Sequence, residues 1–273
     1  MLRPIQEAMV SKGTPARIFD KFKEFYAEPL RQFLSEVDPL GDLGYPYGIF
    51  LSHPLPEYDN AAKKIFYVGR DTNGWGDYYE MMEMYHQGKL MEYLDNQWPT
   101  SAEEMMGWGN RMTFWTVVFK LQIYLNHGVL LPRLQDYSEE QKKCLLGLGF
   151  GNMNCVEIKA SLQREKVWKD IDEEKYWPFK EKSRRFDRLK DILDLYNPDY
   201  IFLFTWSDDP VFMQNVNLIE DPSKREEYWR CVYSIEGYKT KLIWTSHPTY
   251  FAWNITQDVN EVVKYLGDTA LSI

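Results

Sequence analysis

The chain lacks the motifs by which several large enzyme classes are recognised. No Cys-x-x-Cys pair occurs, and three cysteines are scattered at Cys144, Cys155 and Cys231. An odd, dispersed set of this kind predicts neither a disulfide framework nor a zinc or iron–sulfur site. Gly-x-Gly-x-x-Gly does not follow the first predicted strand, and Gly-x-x-x-x-Gly-Lys-Ser/Thr occurs nowhere. These absences argue against dinucleotide and P-loop nucleotide binding, and we expect no metal and no cofactor.

Positive charge is in the minority. The 273 residues carry a formal net charge of -9, and the pI is about 5.1. Non-specific nucleic-acid binders are normally basic because neutralising phosphates supplies their affinity. The charge balance therefore counts against broad DNA binding, although it leaves room for a local patch. One basic stretch occurs, most simply interpreted as a solvated helix face; it contains Lys180, Lys182, Arg184, Arg185, Arg188 and Lys190.

Long apolar runs are also missing. No segment approaches the length of a membrane helix, and the residues from Met1 to Glu7 lack the apolar region of a signal peptide. We therefore expect a cytoplasmic protein without a membrane partner. Aromatic residues, in contrast, are abundant: 10 Trp, 19 Tyr and 15 Phe. Such residues usually fill a core, and they can also line a pocket that stacks flat ligands.

Strand patterns alternate with helix patterns along the chain. Short apolar, β-branched or aromatic runs predict core strands at residues 64–68, 155–158, 200–206 and 241–245, and an outer strand at 228–235. This alternation predicts an α/β protein, a three-layer α/β/α sandwich around a central four-stranded, mainly parallel sheet. We expect one domain over residues 1–273, with an N-terminal helical cap over 1–62 and a core over 63–266.

Helical periodicity predicts the connecting segments. A helix should begin at Thr14-Pro15 and end near Asp38, with Thr14 as N-cap and Pro15 at the first helical position. Apolar spacing then predicts helical structure over 77–127, interrupted near residues 98–100, and further helices over 138–148, 183–196 and 254–266.

Polar residues follow the predicted core strands where each strand ends. The first strand runs into Arg70-Asp71-Thr72-Asn73-Gly74, and the last into Thr245-Ser246-His247-Pro248-Thr249. Ligands of open α/β sheets bind at the carboxyl ends of the strands. One loop offers a carboxylate and the other an imidazole. Of the other two predicted core strands, the second has Asn152 and Asn154 directly beside it, and the third ends at Trp206, Ser207 and Asp208.

The order of these strand ends resembles the uracil-DNA glycosylase superfamily. Members have a Gly-x-Asp/Glu loop after the first strand, an Asn near the second, an apolar third strand and a His-Pro-Ser loop after the last. Here the corresponding residues are Gly69-Arg70-Asp71, Asn154, Tyr200 to Phe204 and His247-Pro248-Thr249, within about residues 63–266.

The chain departs from this pattern in several places. Thr72-Asn73-Gly74 stands where the best-known branch has Pro-Tyr-His, and Thr249 replaces the usual Ser. Tyr250-Phe251 follow where several members place a leucine that wedges into DNA. The cysteines that bind an iron–sulfur cluster in some branches are absent. The residues that shape uracil selectivity therefore differ.

The resemblance implies hydrolysis of the N-glycosidic bond of uracil or another deaminated base in DNA, single-stranded or damaged. Asp71 would stabilise the cationic sugar or orient water, and His247 would donate to the base oxygen as its charge grows. Asn154 would read the base edge. Trp75 is nearest in sequence for stacking, with Tyr78 and Trp108 as alternatives. Further substrate contacts are expected from Gly69, Arg70, Asn73, Ser246 and Thr249.

Each of these residues also has a simpler interpretation. Asp71 suits a turn, His247 could be satisfied by the backbone, and Asn152 competes with Asn154 because the strand register is open. Ser52-His53-Pro54 copies Ser246-His247-Pro248, but a turn region precedes it. We expect His53 to be structural or exposed, and His86 and His127, in helical context, to be structural.

Two hypotheses on function remain open from the sequence. The first is a glycosylase in which Asp71 and His247 are catalytic. The second is a non-catalytic module that keeps the fold and binds a free nucleobase, a nucleotide or a protein partner. The altered first loop and the acidic charge motivate the second hypothesis.

Overall fold

The structure is a computed structural model of the chain. It describes residues 16–37, 47–71, 78–95, 101–109, 113–158, 173–205, 209–224, 229–250 and 258–273. The described strands are β1 (Tyr47–Ile49), β2 (His53–Pro54), β3 (Ile65–Asp71), β4 (Leu148–Asn154), β5 (Val156–Ile158), β6 (Tyr200–Phe204), β7 (Leu218–Asp221), β8 (Trp229–Ile235) and β9 (Lys241–Thr245).

Seven of these strands form one sheet in the order β2-β4-β3-β6-β9-β8-β7. The four central strands, β4, β3, β6 and β9, are mutually parallel, whereas β2, β8 and β7 join the two edges in antiparallel pairs. The predicted α/β class is thereby confirmed, but the sheet has seven strands where a four-stranded one was predicted, because antiparallel strands extend both edges. The predicted strands at 64–68, 200–206, 228–235 and 241–245 correspond to β3, β6, β8 and β9.

The second core strand is not where the sequence predicted it. It is β4, Leu148–Asn154, whereas the predicted segment 155–158 forms the short strand β5, which pairs antiparallel with β1 in a separate two-stranded sheet. Gly149 and Gly151 interrupt the apolar pattern of β4, so the sequence pattern does not predict a strand there. Both are needed for close packing, because a Cβ on Gly149 would lie 2.2 Å from Phe66 Cδ2.

The described helices are α1 (Ala16–Val37), α2 (Tyr78–His86), α3 (Leu90–Asp95), α4 (Ala102–Gly109), α5 (Thr113–His127), α6 (Glu139–Lys143), α7 (Glu173–Ser183), α8 (Leu189–Tyr196) and α9 (Val259–Leu271). The helix predicted over 138–148 is shorter: Ser138 caps α6 through a capping box, and 3-10 turn Cys144–Gly147 then leads into β4. The final helix extends to Leu271, five residues beyond its predicted end.

Helices cover both faces of the sheet. On one face α5 and α9 pack over alternate strand residues that include Tyr67, Phe150, Phe202 and Ile243. On the opposite face, α8 packs over the intervening residues, among them Phe66, Val68, Ile201, Leu203 and Leu242. This alternation is the period of two expected of strands buried on both faces.

Helix α1 belongs to a separate hydrophobic cluster. Its Tyr26, Leu30, Phe33 and Leu34 are buried with Met81 and Met82 of α2 and with Cys155 and Val156 beyond the end of β4. The Phe33 ring meets Phe186 edge-on at 5.5 Å. The N-terminal helix therefore packs beside the carboxyl end of β4. None of the described helices is both long and apolar enough to cross a membrane.

Candidate functional site

The strand order reverses direction at the centre of the sheet. The chain proceeds from β3 outward to β4, and then returns to the other side of β3 to form β6 and β9. In open α/β sheets such a reversal opens a crevice at the carboxyl ends of the strands, and ligands bind there. The carboxyl ends of β3 and β6 are therefore where this fold favours a site.

The side chains on the α5 face form successive levels along the four parallel strands. The register sets Tyr67 beside Phe150 and Phe202, and Phe202 beside Ile243. This first level is apolar and buried. Its rings pack closely, with Tyr67 and Phe202 stacked at a centroid distance of 5.6 Å and an interplanar angle of 16°. It forms a rigid floor beneath the strand ends.

The second level introduces polar groups. Gly69 pairs with Asn152 on one side, and Phe204 pairs with Thr245 further along the sheet. A Cβ on Gly69 would lie 2.7 Å from Asn152 Oδ1. The absent side chain therefore makes room for the Asn152 amide, which lies over the Gly69 backbone although Asn152 is only 2% exposed. The Thr245 hydroxyl is buried without a hydrogen-bond partner in the described part of the chain.

The third level contains two of the residues singled out from the sequence. Asp71 pairs with Asn154 across β3 and β4. His247 follows Thr245, the last residue of β9, by two residues and therefore lies beyond the carboxyl end of that strand. One strand, β6, separates β3 from β9, and the two backbones are therefore about 10 Å apart. The Asp71 side chain lies outside the described part of the structure, as do residues Asn73 and Trp75.

Phe114, in the first turn of α5, contacts residues of β4, of β6 and of the loop after β9. Its ring stacks on the His247 imidazole at a centroid distance of 5.2 Å and an interplanar angle of 26°. It also meets Phe204 edge-on at 5.6 Å and Phe150 at 5.8 Å. Phe114 therefore supports His247 over the second level. Apolar spacing predicted helical structure around this residue but could not reveal a contact across 133 positions of sequence.

The hydrogen bonds of His247 define its protonation. The Thr249 backbone N–H donates to His247 Nδ1 at 3.3 Å, and the Tyr250 N–H donates to the His247 carbonyl at 2.8 Å. A backbone N–H can only donate, so Nδ1 accepts and carries no hydrogen. The ring is thus neutral with its hydrogen on Nε2, and that nitrogen is a donor.

Other predicted contacts are distributed differently. Arg70 is exposed, and strand alternation directs it to the face opposite Gly69 and Asp71. Ser246 is buried at 3% exposure, and Thr249 acts on His247 through its backbone. The side chains of Tyr78 and Trp108, the alternatives for base stacking, lie outside the described part of the structure.

The histidines away from β9 have other environments. His53 lies in edge strand β2, opposite Phe150 of β4, and its ring stacks on Phe50 at 5.7 Å. Its Nδ1 donates to the Leu51 carbonyl at 2.9 Å, and burial lowers its pKa to about 4. His86 and His127 are exposed at the last residues of α2 and α5.

Acidic and carbonyl partners occupy most of the basic stretch. Lys180 Nζ donates to the Val156 carbonyl at 2.5 Å. Four ion pairs link the stretch to neighbouring acids: Arg184 with Asp209, Arg185 with Glu36, Arg188 with Asp191, and Lys190 with Asp194. Most of the basic side chains in this stretch therefore bind groups within the protein itself.

Within the described ranges, no group of three His, Cys, Asp or Glu side chains is arranged to hold a metal ion. Comparison with protein-family models gives no match, and no curated protein matches the chain. The assignment of a function therefore depends on the strand-end geometry.

Proposed function

We propose that the protein is a cytoplasmic DNA glycosylase-like enzyme that binds an extruded nucleobase at the carboxyl edge of the parallel sheet. The principal support is the neutral His247 ring, with Nε2 as donor, stacked on Phe114 at the sheet edge where Asp71 and Asn154 end their strands. A flipped base needs an aromatic surface, hydrogen bonds to its edge and a donor at the oxygen that gains charge. Residues of all three kinds occur at these strand ends.

The proposed reaction is hydrolysis of the N-glycosidic bond. Water attacks the sugar C1′, the bond to the base nitrogen breaks, and its electron pair departs with the base, which takes up a proton. Asp71 stabilises the developing positive charge on the sugar or orients the water. His247 Nε2–H donates to the base oxygen as negative charge develops there.

The amides of Asn152 and Asn154 suit base recognition. They lie two residues apart in β4 and hence on the same face of the sheet. An amide can donate and accept at once, so it can match the alternating groups of a base edge. The Gly69 gap leaves the Asn152 oxygen close to the strand backbone, at the bottom of the proposed site. Phe114 packs on His247 and supports its ring, and base stacking stays assigned to Trp75, with Tyr78 and Trp108 as alternatives.

Base release tests this proposal directly. Protein in excess over single- and double-stranded oligonucleotides containing uracil, hypoxanthine or xanthine should leave alkali-labile abasic sites at one of these bases. Matched oligonucleotides containing only the ordinary bases control for non-specific strand breakage. Absence of release from the whole panel, under single-turnover conditions, would end the proposal of catalysis.

The charge distribution supports a second candidate, a non-catalytic pocket for a free nucleobase or nucleotide. The chain carries a net charge of -9, and most of its basic stretch is already paired. A small ligand needs no extended phosphate track. A rise in melting temperature with free uracil or hypoxanthine, without cleavage of the oligonucleotides, favours this candidate. If the protein shows neither a rise in melting temperature nor base release, a protein-interaction role is favoured.

A further inference from the structure

Strand β4 ends in a sharp turn directly after the two asparagines. Asn154 is its last residue, Cys155 turns the chain, and β5 begins at Val156 and pairs with β1 outside the main sheet. The positions of Asn152 and Asn154 therefore depend on how this turn is held. Asn154 is partly exposed at the end of β4, so pairing with β3 alone holds it less firmly than a residue inside the sheet.

Asp187 holds the turn from a distant part of the chain. It lies between the 3-10 turn Arg184–Phe186 and α8, and it is completely buried. Its Oδ1 accepts the Cys155 backbone N–H at 2.6 Å. The carboxylate therefore fixes the residue that follows Asn154.

The Cys155 side chain and the edge strand complete this support. The Cys155 thiol has one hydrogen and lies within donating distance of two carbonyls, Asn152 at 3.5 Å and Phe186 at 3.3 Å. The Phe50 N–H donates to the Cys155 carbonyl at 2.9 Å. On the other side of β4, Ser52 occupies the space beside Gly151, where a Cβ would lie 1.9 Å from the Ser52 hydroxyl.

We propose that Asp187 is a positioning residue for the amides of Asn152 and Asn154, a role that rests on the proposed function. It touches neither base nor sugar and acts through the Cys155 N–H. Burying a carboxylate costs desolvation energy, and apolar side chains can often replace buried charges without loss of stability. The hydrogen bond that Asp187 accepts from the Cys155 N–H is a contact that an apolar side chain could not make.

Three substitutions separate positioning from general stability. Asp187→Asn keeps a carbonyl oxygen for the Cys155 N–H, whereas Asp187→Leu removes the acceptor at similar size. Asp191→Leu is the matched control, because Asp191 is equally a buried acid, 2% exposed, in the adjoining helix α8. Its ion-pair partner is Arg188, whereas the Cys155 N–H is bound by Asp187. All three proteins are compared with the unmodified chain.

Hydrogen exchange and kinetics provide the two measurements. Asp187→Leu should accelerate amide exchange at least tenfold in peptides covering residues 148–158, with residues 200–204 and 241–245 unchanged. On a uracil-containing single strand it should raise KM at least tenfold with little change in kcat, because base-edge contacts bind substrate and transition state alike. Asp187→Asn should restore both values to within threefold, and Asp191→Leu should leave both unchanged.

Two results overturn the proposal: equal acceleration of exchange throughout the sheet, or an Asp187→Asn protein as impaired as Asp187→Leu. If Asp187→Leu does not fold, Asp187→Glu replaces it, since the extra methylene displaces the acceptor and the same two measurements apply. A wild-type protein that releases no base ends the proposed function, and the exchange comparison alone then decides whether Asp187 positions the asparagines.

Discussion

The tripeptide Ser-His-Pro occurs twice, and the two copies have different structures. His53 lies in an edge strand antiparallel to β4, whereas His247 follows the carboxyl end of a central parallel strand. His53 Nδ1 donates to a carbonyl, and His247 Nδ1 accepts from a backbone N–H. The two neutral rings are therefore opposite tautomers.

The difference shows that the chemistry of a histidine depends on where its strand ends. His53 uses its ring hydrogen on the adjacent Leu51 carbonyl. In His247 the chain turn provides a donor to Nδ1, and the ring hydrogen lies on the nitrogen farther from the backbone. Stacking on Phe114 then fixes the plane in which that hydrogen can be donated. Only the second arrangement suits a ligand placed beyond the sheet.

Removing each imidazole should give the largest contrast. His247→Ala should lower the single-turnover rate of base release about 100- to 1,000-fold, the usual loss when one donor to a developing oxyanion is removed. His53→Ala should change that rate less than threefold, while destabilising the protein by about 1–3 kcal/mol because the Leu51 carbonyl loses its donor. Rates and urea unfolding measure the two effects. Similar rate losses in both variants would contradict the distinction.

Phe114 can be compared with Phe119 of the same helix. Phe119 is fully buried and stacks on Trp115 at 5.3 Å, away from His247. Replacing either by Leu should cost about 1–3 kcal/mol of stability through lost packing. Phe114→Leu should also lower kcat/KM for base release at least tenfold, because His247 loses its ring support. An equal kinetic loss in Phe119→Leu removes the special role of Phe114.

Gly69 and Gly107 form a smaller contrast. Gly69→Ala places a Cβ within 2.7 Å of Asn152 Oδ1, so the amide must move. KM should rise several-fold, with about 1 kcal/mol of lost stability. Gly107 lies in α4 with open space at its Cβ position, and Gly107→Ala should stabilise the protein by about 0.5–1 kcal/mol. Steady-state kinetics and thermal unfolding check both. An unchanged KM in Gly69→Ala would separate Asn152 from the site.

The pH dependence of stability should also distinguish His53. Its pKa is lowered from 6.5 to about 4 by burial, so its contribution is complete above pH 6.5 and is lost as pH falls toward 4. Asp191 acts in the opposite direction, because burial raises its pKa from 3.8 to about 6. Its contribution is complete below pH 3.8 and is lost as pH rises toward 6.

Substitutions should expose these opposed contributions, each worth at most about 3 kcal/mol. Relative to wild type, Asp191→Asn should make unfolding free energy increase more steeply between pH 4 and 6. His53→Gln should make the unfolding free energy increase less steeply than in wild type over the same interval. Urea unfolding at several pH values gives both slopes, and a His53→Gln profile parallel to wild type would contradict the lowered His53 pKa.

The strands that could be predicted from the sequence are those with an uninterrupted run of apolar residues. β3, β6 and β9 were located because aromatic and β-branched residues are continuous in them. β4 was missed, because Gly149 and Gly151 reduce its strand signal while permitting Phe66 and Ser52 to approach. β4 forms because it packs between neighbouring strands, and a short stretch of sequence does not show that packing.

The site was predictable only as a set of strand ends. Asp71 and Asn154 share a register position, and His247 follows the predicted last strand. The sequence left open whether Asn152 or Asn154 lies on the face of the site. In the structure both lie on the same face of β4, because they are two residues apart. The Phe114–His247 contact and the Asp187–Cys155 hydrogen bond join distant segments, so sequence spacing does not contain them.

Nitrogen NMR of the imidazole rings tests the central claim most directly, since the chain has only four histidines. At pH 7 His247 should show hydrogen on Nε2, and His53 on Nδ1. Adding single-stranded oligonucleotides that contain uracil, hypoxanthine or xanthine should shift the His247 Nε2 resonance with at least one of them and leave His53 unchanged. A His247 ring hydrogen on Nδ1, or a His247 ring that responds to none of the three, would contradict a base-binding site at this edge of the sheet.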